Sequence, residues 1–221
     1  MAGEFRDPYL YPDIDVMRNK FGIRDQASLH KAEVDHVMFR LVQLEQKPIP
    51  GDMDAKHLQA IHKHIFQDVY DWAGEYRVVD MTKYYDNLGM RMGYWHHRDI
   101  GDALGKVTGS LREEGFLKEL PNSEAFAQRA SRYMAAINQV HPFREGNGRS
   151  QREFIRTLAL NAGYRLDWAR VPERELTNVR ANSLVDHGER LAPVMKQCIV
   201  NSRPDPQIAR SIPKPGRTME R

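Results

Sequence analysis

Cysteine is almost missing from the chain: Cys198 is the single one among 221 residues. A lone thiol forms no disulfide within the chain, so the fold cannot rest on oxidation, which fits a reducing compartment. Long apolar runs are lacking as well. No stretch approaches the roughly 18 apolar residues of a membrane span, and the opening MAGEFRDPYLYPD has no apolar core of a secretory signal. A cytoplasmic location, with no membrane partner, is expected. Nor is there an excess of one charge. Lys plus Arg number 33 against 30 Asp plus Glu, a net charge of +3. Acids and bases alternate, as in VPERELTNVRANS, so direct nucleic-acid binding by a basic face is not expected.

What is present is an ordinary globular composition, 41% hydrophobic and 29% charged, long enough for one substantial domain with a sizeable core. Residues 1–12 read as an extended arm and 13–200 as the domain. Residues 201–221, with Pro204, Pro206, Pro213 and Pro215 and few large apolar residues, read as a flexible tail. Within the domain Leu29, Val34, Val37, Met38, Leu41 and Leu44 recur at helical spacing, and Pro48, Pro50 and Gly51 then break the chain. Asp54 is placed to cap a second helix with the stripe Leu58, Ile61, Ile65, Phe66 and Val69. From Ala73 to Trp95 the β-formers Tyr76, Val78, Val79, Met81 and Tyr85, with Asn87 and Gly89 as turn residues, predict a β-hairpin. Helices are predicted over 96–114, around Phe126 to Ile137, from Arg149 to Ala162, and once or twice within 172–200. The fold class is therefore mainly α with one hairpin.

Chemistry concentrates in His141-Pro142-Phe143-Arg144-Glu145-Gly146-Asn147-Gly148-Arg149-Ser150-Gln151-Arg152. This is a Gly-containing loop entering a helix N-terminus, where unpaired N–H groups and the positive end of the helix dipole attract phosphate. Gly146 and Gly148 allow close backbone approach and positive φ. Arg149 and Arg152, three apart, share a helix side and suit a polyphosphate. A carboxylate among these cations, Glu145, makes sense as a ligand for Mg²⁺, which takes one or two carboxylates plus phosphate oxygens. His141, with an ordinary pKa of about 6.5, suits a general base. Together these groups point to phosphoryl or nucleotidyl transfer.

The segment resembles the signature of the Fic family, His-Pro-Phe-x-Asp/Glu-Gly-Asn-Gly-Arg-x-x-Arg, at every specified position. The upstream DVYDWAGEYRVVD also looks like that family's lead into its flap, and the likeness runs over roughly residues 7–200. The resemblance implies a helical bundle with a hairpin flap over the site, and transfer of AMP from Mg-ATP to a Tyr, Ser or Thr hydroxyl of a target protein. By it, His141 is the base and Glu145 holds Mg²⁺. Gly146, Asn147 and Gly148 seat the α-phosphate, and Arg149 and Arg152 hold the β- and γ-phosphates. Phe143 packs into the core. The flap, near Met81 to Met92, aligns the target by strand-like pairing. It has Lys83 and Tyr84, counted as nucleotide contacts, where the family often has Lys-Gly. Gly148, where phosphate-transferring death-on-curing relatives have Lys, favours AMP transfer. A Fic-fold transferase using UMP or phosphate, and a helical nucleic-acid-binding regulator, are the alternatives.

Some features carry blander readings. His57, His62 and His64 lack the i, i+4 spacing of a zinc pair. His96 and His97 follow a strand end and are expected at the surface. Tyr94 and Trp95 are expected to pack the flap, and Arg156 to be solvated or salt-bridged. Ser110-Leu111-Arg112-Glu113-Glu114-Gly115 fits the family's inhibitory string Ser/Thr-x-x-x-Glu-Gly/Asn, but it lies between flap and catalytic loop and reads as a helix C-terminus. The resemblance then points to the toxin class whose inhibitory Glu comes from a separate small antitoxin. Some members of that class modify type II topoisomerase subunits.

Overall fold

The computed structural model describes residues 6–210. Helix α1 spans Gln26–Gln46 and is capped by Asp25, whose carboxylate accepts from Ser28 N. Helix α2, Ala55–Phe66, starts at Asp54 in the same way, its side chain 2.8 Å from His57 N. These bonds satisfy N–H groups that the first helical turn leaves unpaired. Strands β1 (Thr82–Tyr85) and β2 (Met90–Gly93) pair antiparallel, Thr82 opposite Gly93 and Tyr85 opposite Met90. A 3-10 turn at His97–Asp99 leads into α3, Ile100–Glu113, and the chain then runs through α4 (Ser123–Val140), α5 (Asn147–Asn161), α6 (Glu173–Asp186), α7 (Leu191–Cys198) and α8 (Pro206–Arg210).

Helix α4 is the central strut, packed by α3, α5, α6 and α7. Its buried positions alternate large Phe126, Met134 and Ile137 with small Ala127, Ala130, Ser131 and Ala135, which lets neighbours come close on several sides. The buried side of α5 carries Phe154, Ile155 and Leu158, all without exposed area, and it packs against α2 and α4. Each such side chain adds about 1.5–3 kcal/mol by leaving water. The consequence for the site is positional: the C-terminus of α4 and the N-terminus of α5 are both anchored in one core, and the loop 141–146 joins them.

The predicted elements stand, with differences. The mainly helical class and the single hairpin are as expected, but the strands occupy only 82–85 and 90–93. Residues 73–81 turn instead around the buried Arg77. Helix α5 begins two residues earlier than expected, at Asn147. The apolar stripe of α1 is split: Leu29, Val37 and Leu44 are buried, whereas Val34 and Met38 are exposed together with Phe39 and Val42. The N-terminal arm is docked, with Tyr9 buried and its hydroxyl accepting from Val78 N at 3.0 Å. The tail differs from expectation as far as Arg210. Asn201 donates to Gly163 O, Asp205 N donates to the same oxygen at 2.8 Å, and Ser123 N donates to Ser202 O. The Asn201 side chain and two backbone hydrogen bonds do here what apolar residues do elsewhere. The remainder of the expected tail, 211–221, lies outside the described residues. No described helix is long and apolar enough to cross a membrane.

Ending the chain at Val200 removes those bonds. A loss of about 2 kcal/mol should lower the thermal midpoint by roughly 4–8 °C in a domain of this size. Calorimetry on the two chains checks this; equal midpoints would show the docked segment to be without effect.

Candidate active site

His141 terminates α4 in the left-handed conformation, φ 49° and ψ 64°, while its N–H still reaches Ile137 O at 3.0 Å. A non-glycine residue held there costs on the order of 1 kcal/mol or more, so the surroundings must enforce it. Arg77 is the enforcer. It is 1% exposed, donates from Nε to His141 O at 2.8 Å and from Nη1 to Val79 O at 2.6 Å, and uses Nη2 for Trp95 O and for Val140 O at 3.2 Å. Arg77 N also donates to Pro142 O. The last carbonyls of α4 carry the negative end of its dipole, which favours a cation at this point.

From below, His62 of α2 holds the same loop. Its Nδ1 accepts from Gly74 N at 2.8 Å, which leaves Nε2 to donate to Glu145 O at 3.0 Å. The imidazole stacks on Phe143, with centroids 3.8 Å apart. His62 is fully buried, and burial pushes its pKa down to about 3, so it stays neutral with a fixed tautomer. Phe143 is buried as expected. Asn147 takes a different role from the one the resemblance implies. Its side-chain oxygen accepts from Phe143 N and its amide donates to Phe143 O, at 2.9 and 2.7 Å. Buried at 4% exposure, that side chain clamps the loop rather than facing the cradle. Gly146 has φ +78°, and a Cβ there would overlap the buried Phe66 ring. Gly148 differs from expectation: its φ is not positive, and its small size makes room for the Arg180 guanidinium.

On the open side, α5 begins at Gly146 without a side-chain cap, so its first N–H groups are available to an anion. Glu145 has a side chain 44% exposed. Its Oε1 accepts from Gly146 N at 2.8 Å and lies 3.4 Å from Arg149 Nη2, while Oε2 makes no hydrogen bond among the described residues. Arg149 reaches Glu33 of α1 at 2.6 Å, and Glu33 also accepts from Tyr70. Arg152 binds both oxygens of Glu173 on α6 at 2.7 Å. Arg144, left free by the motif, pairs with Asp7 at 2.8 Å and so ties the arm to the loop. Arg156 pairs with Glu153, as anticipated. Glu114 binds Arg129 and Tyr133 of α4, so it acts as part of a helix end.

The flap roofs the imidazole. Tyr94 stacks on His141, with centroids 3.7 Å apart and planes 13° apart, and its hydroxyl meets that of Tyr85. Strand alternation places Lys83 and Tyr85 on one face and Tyr84 with Thr82 on the other. Lys83 lies over the Tyr85 ring and near enough to His141 to act on its charge. Tyr84 is 52% exposed opposite Arg91. At the flap root Asp80 accepts from His97 N and His97 Nδ1 and lies 3.2 Å from His96 Nε2. Asn87 at the flap tip reaches Asn182 of α6. Tyr94 and Arg180 were not legible as site residues, because neither lies in a motif.

Part of His141 reaches solvent, but its Nδ1 is buried. Burial first, and then the charge of Arg180, push the His141 pKa down to about 3, against a smaller opposing pull from the Asn138 backbone. The imidazole is therefore neutral at pH 7.

A family model described as Fic/DOC matches residues 52–159. Protein adenylyltransferase VbhT of Bartonella schoenbuchensis is 39% identical over 203 residues, covering 90% of this chain and 41% of that protein. The chain thus spans about two fifths of that relative. The probable protein adenylyltransferase Fic of Escherichia coli is 39% identical over 176 residues, covering 80% of this chain and 83% of the relative. Among solved structures, the N-terminal Fic domain of a putative cell filamentation protein from Bartonella quintana, with bound ADP, superimposes with a TM-score of 0.80. It is 24% identical and covers 90% of this chain and 96% of that one.

Unfolded histidines take a proton near pH 6.5, whereas His62 and His141 do so only near 3. Between those values the unfolded state binds more protons, so stability should fall as pH is lowered from 6.5. Denaturant titrations from pH 7.5 to 4 should show this slope, and His62→Gln should flatten it; an unchanged slope would contradict the assignment. Gly146→Ala should cost about 2–4 kcal/mol, from strain at positive φ and the overlap with Phe66, read by the same titration.

Proposed function

This chain belongs to the Fic/DOC family, and we propose that it transfers AMP from ATP to a hydroxyl side chain of another protein. The carrying observation is a neutral imidazole placed beside an uncapped helix N-terminus flanked by two arginines. The adenylyltransferase names of relatives at 39% identity support the same reading. Because Nδ1 of His141 is buried, Nε2 is the nitrogen left to act as base. It takes the proton of the incoming Tyr, Ser or Thr hydroxyl. The oxygen bonds to the α-phosphorus while the bond to the β-phosphate oxygen breaks, and pyrophosphate leaves. The phosphates approach the first amides of α5, with Arg149 and Arg152 turning from Glu33 and Glu173 toward the β- and γ-groups. Their bound anions would also raise the His141 pKa toward the useful range, since negative charge favours imidazolium.

Glu145 fits Mg²⁺: it is solvent-facing, with one oxygen uncommitted, next to the phosphate seat. The ion, when held there, neutralises phosphate charge. Lys83 stands on the flap face toward the site and suits the nucleotide or the target backbone. Dependence on ATP and a single Cys fit a cytoplasmic enzyme. Engagement of Glu114 by Arg129 supports a toxin–antitoxin arrangement in which a separate small antitoxin protein supplies an inhibitory Glu. A type II topoisomerase subunit is the target class to try first.

Incubation of the protein with α-labelled and, separately, γ-labelled ATP in lysate tests the reaction. Label should pass to protein from the α-labelled donor alone and fall at least about 100-fold in His141→Ala. Transfer from the γ-labelled donor alone would instead mean kinase chemistry. Glu173→Gln frees Arg152 from an exposed ion pair and should tighten ATP binding by about 2- to 5-fold in calorimetry.

A further inference from the structure

Arg180 of α6 lies outside the loop motif, yet it is built into the same site. Its Nη1, Nη2 and Cζ come within 2.5–2.7 Å of where a Cβ on Gly148 would stand. The guanidinium is thus pressed against the first turn of α5. It is also close enough to His141 and Arg152 to act on both charges, and Tyr85 and Tyr94 of the flap act on it in turn. Its Nε is buried without a hydrogen-bond partner, and its side chain makes no hydrogen bond or ion pair among the described residues. Glu173, the one carboxylate close enough to act on its charge among the described residues, is already held at both oxygens by Arg152.

This placement is electrostatically unfavourable as it stands. A cation sits at the positive end of a helix, beside a second guanidinium, with no carboxylate of its own. A structural arginine would carry its partners, as Arg77, Arg144 and Arg156 do here. Burial and the charge of Arg152 both hold the Arg180 pKa below its ordinary value, though an arginine so placed remains charged. The group that relieves all of these unfavourable terms at once is an anion lying between α5 and α6. The fork of N–H donors on a guanidinium matches a phosphate.

Resting on the nucleotide-transfer reading, we propose that Arg180 is a third phosphate-binding arginine, which grips the α-phosphoryl group of the nucleotide over Gly148. The assignment to the α-phosphoryl follows from position. Arg180 adjoins His141, where the transferred phosphorus must sit, whereas Arg149 is drawn toward α1, away from α6. An oxygen on that phosphorus gains negative charge as the new bond forms, so Arg180 lowers the barrier as well as improving binding. After burial, its charge is the next cause that holds the His141 pKa down, and a bound phosphate offsets that contribution.

The test compares wild type with Arg180→Met, which keeps length and loses charge, and with Arg180→Lys. Arg174→Met, exposed on the same helix, is the control. Calorimetry with adenosine, AMP, ADP and ATP, with Mg²⁺ present, is read beside label transfer from α-labelled ATP. A grip on the α-phosphoryl predicts about 10- to 100-fold weaker binding of AMP, ADP and ATP alike in Arg180→Met. It also predicts unchanged adenosine binding, a fall in kcat beyond the change in KM, and partial recovery in Arg180→Lys. Arg174→Met should match wild type. If Arg180→Met folds with the wild-type thermal midpoint and binds and transfers as wild type does, the proposal is overturned. A loss that is absent for AMP and grows with the number of phosphates overturns the α-assignment. Should Arg180→Met fail to fold, the Arg180→Lys profile decides: wild-type nucleotide affinity and kcat in that variant contradict a bidentate grip. If wild type itself binds no adenine nucleotide, the functional reading fails instead, and the two failures are thereby distinguished.

Discussion

Arg77 carries a positive charge into the interior and meets carbonyl oxygens from three segments: Val79, Trp95, and the Val140–His141 end of α4. Its closest carboxylate, Asp80, stands off at 3.9 Å. Burying such a charge costs several kcal/mol unless its donors are satisfied. Here they are, and the dipole of α4 contributes on the same side. Because one rigid fork bonds the flap root and the loop 141–146 together, the two cannot move apart without leaving a buried cation unpaired. The left-handed backbone of His141, the seat of Tyr94 on its ring and the entry into α5 all follow from that constraint.

With the loop fixed, the chemistry becomes a matter of charge arrangement. His62 beneath and His141 above are both held neutral by burial, one as a positioning residue and the other as the proposed base. The cations of the cradle have different resting partners. Arg149 and Arg152 hold carboxylates of α1 and α6, while Arg180 holds none. On the proposed reading, a polyphosphate at the start of α5 exchanges acid–base pairs for phosphate contacts and meets one guanidinium that has no acidic partner among the described residues. Preorganisation of this kind places stabilisation where charge develops rather than uniformly on the substrate.

The helices were legible in the sequence because their apolar residues repeat with a helical period and their caps are local: Asp54 and Asn122 sit next to what they cap. The loop was legible because its residues are contiguous. The rest depends on contacts distant in sequence. His62 bonds Glu145 across 83 positions and Arg144 bonds Asp7 across 137, and no local pattern announces either. Which flap side chains share the face of Lys83 depends on the strand register, which is not set by the residues alone. The resemblance implies that Asn147 seats the α-phosphate, and its two-sided amide also matches the N–H and C=O of Phe143. The segment after Val200 reads as loose because its attachment runs through the Asn201 side chain and backbone hydrogen bonds, which hydrophobicity does not register.

The proposed reaction requires the α5 N-terminus to seat a triphosphate with its α-phosphorus turned to His141. A crystal structure of the protein soaked with Mg²⁺ and a non-hydrolysable ATP analogue tests it directly. Phosphates should lie over Gly146 to Arg149, with His141 Nε2 facing the α-phosphorus along the line opposite the leaving oxygen. An analogue bound elsewhere, or one with its γ-phosphate at the imidazole, would contradict it.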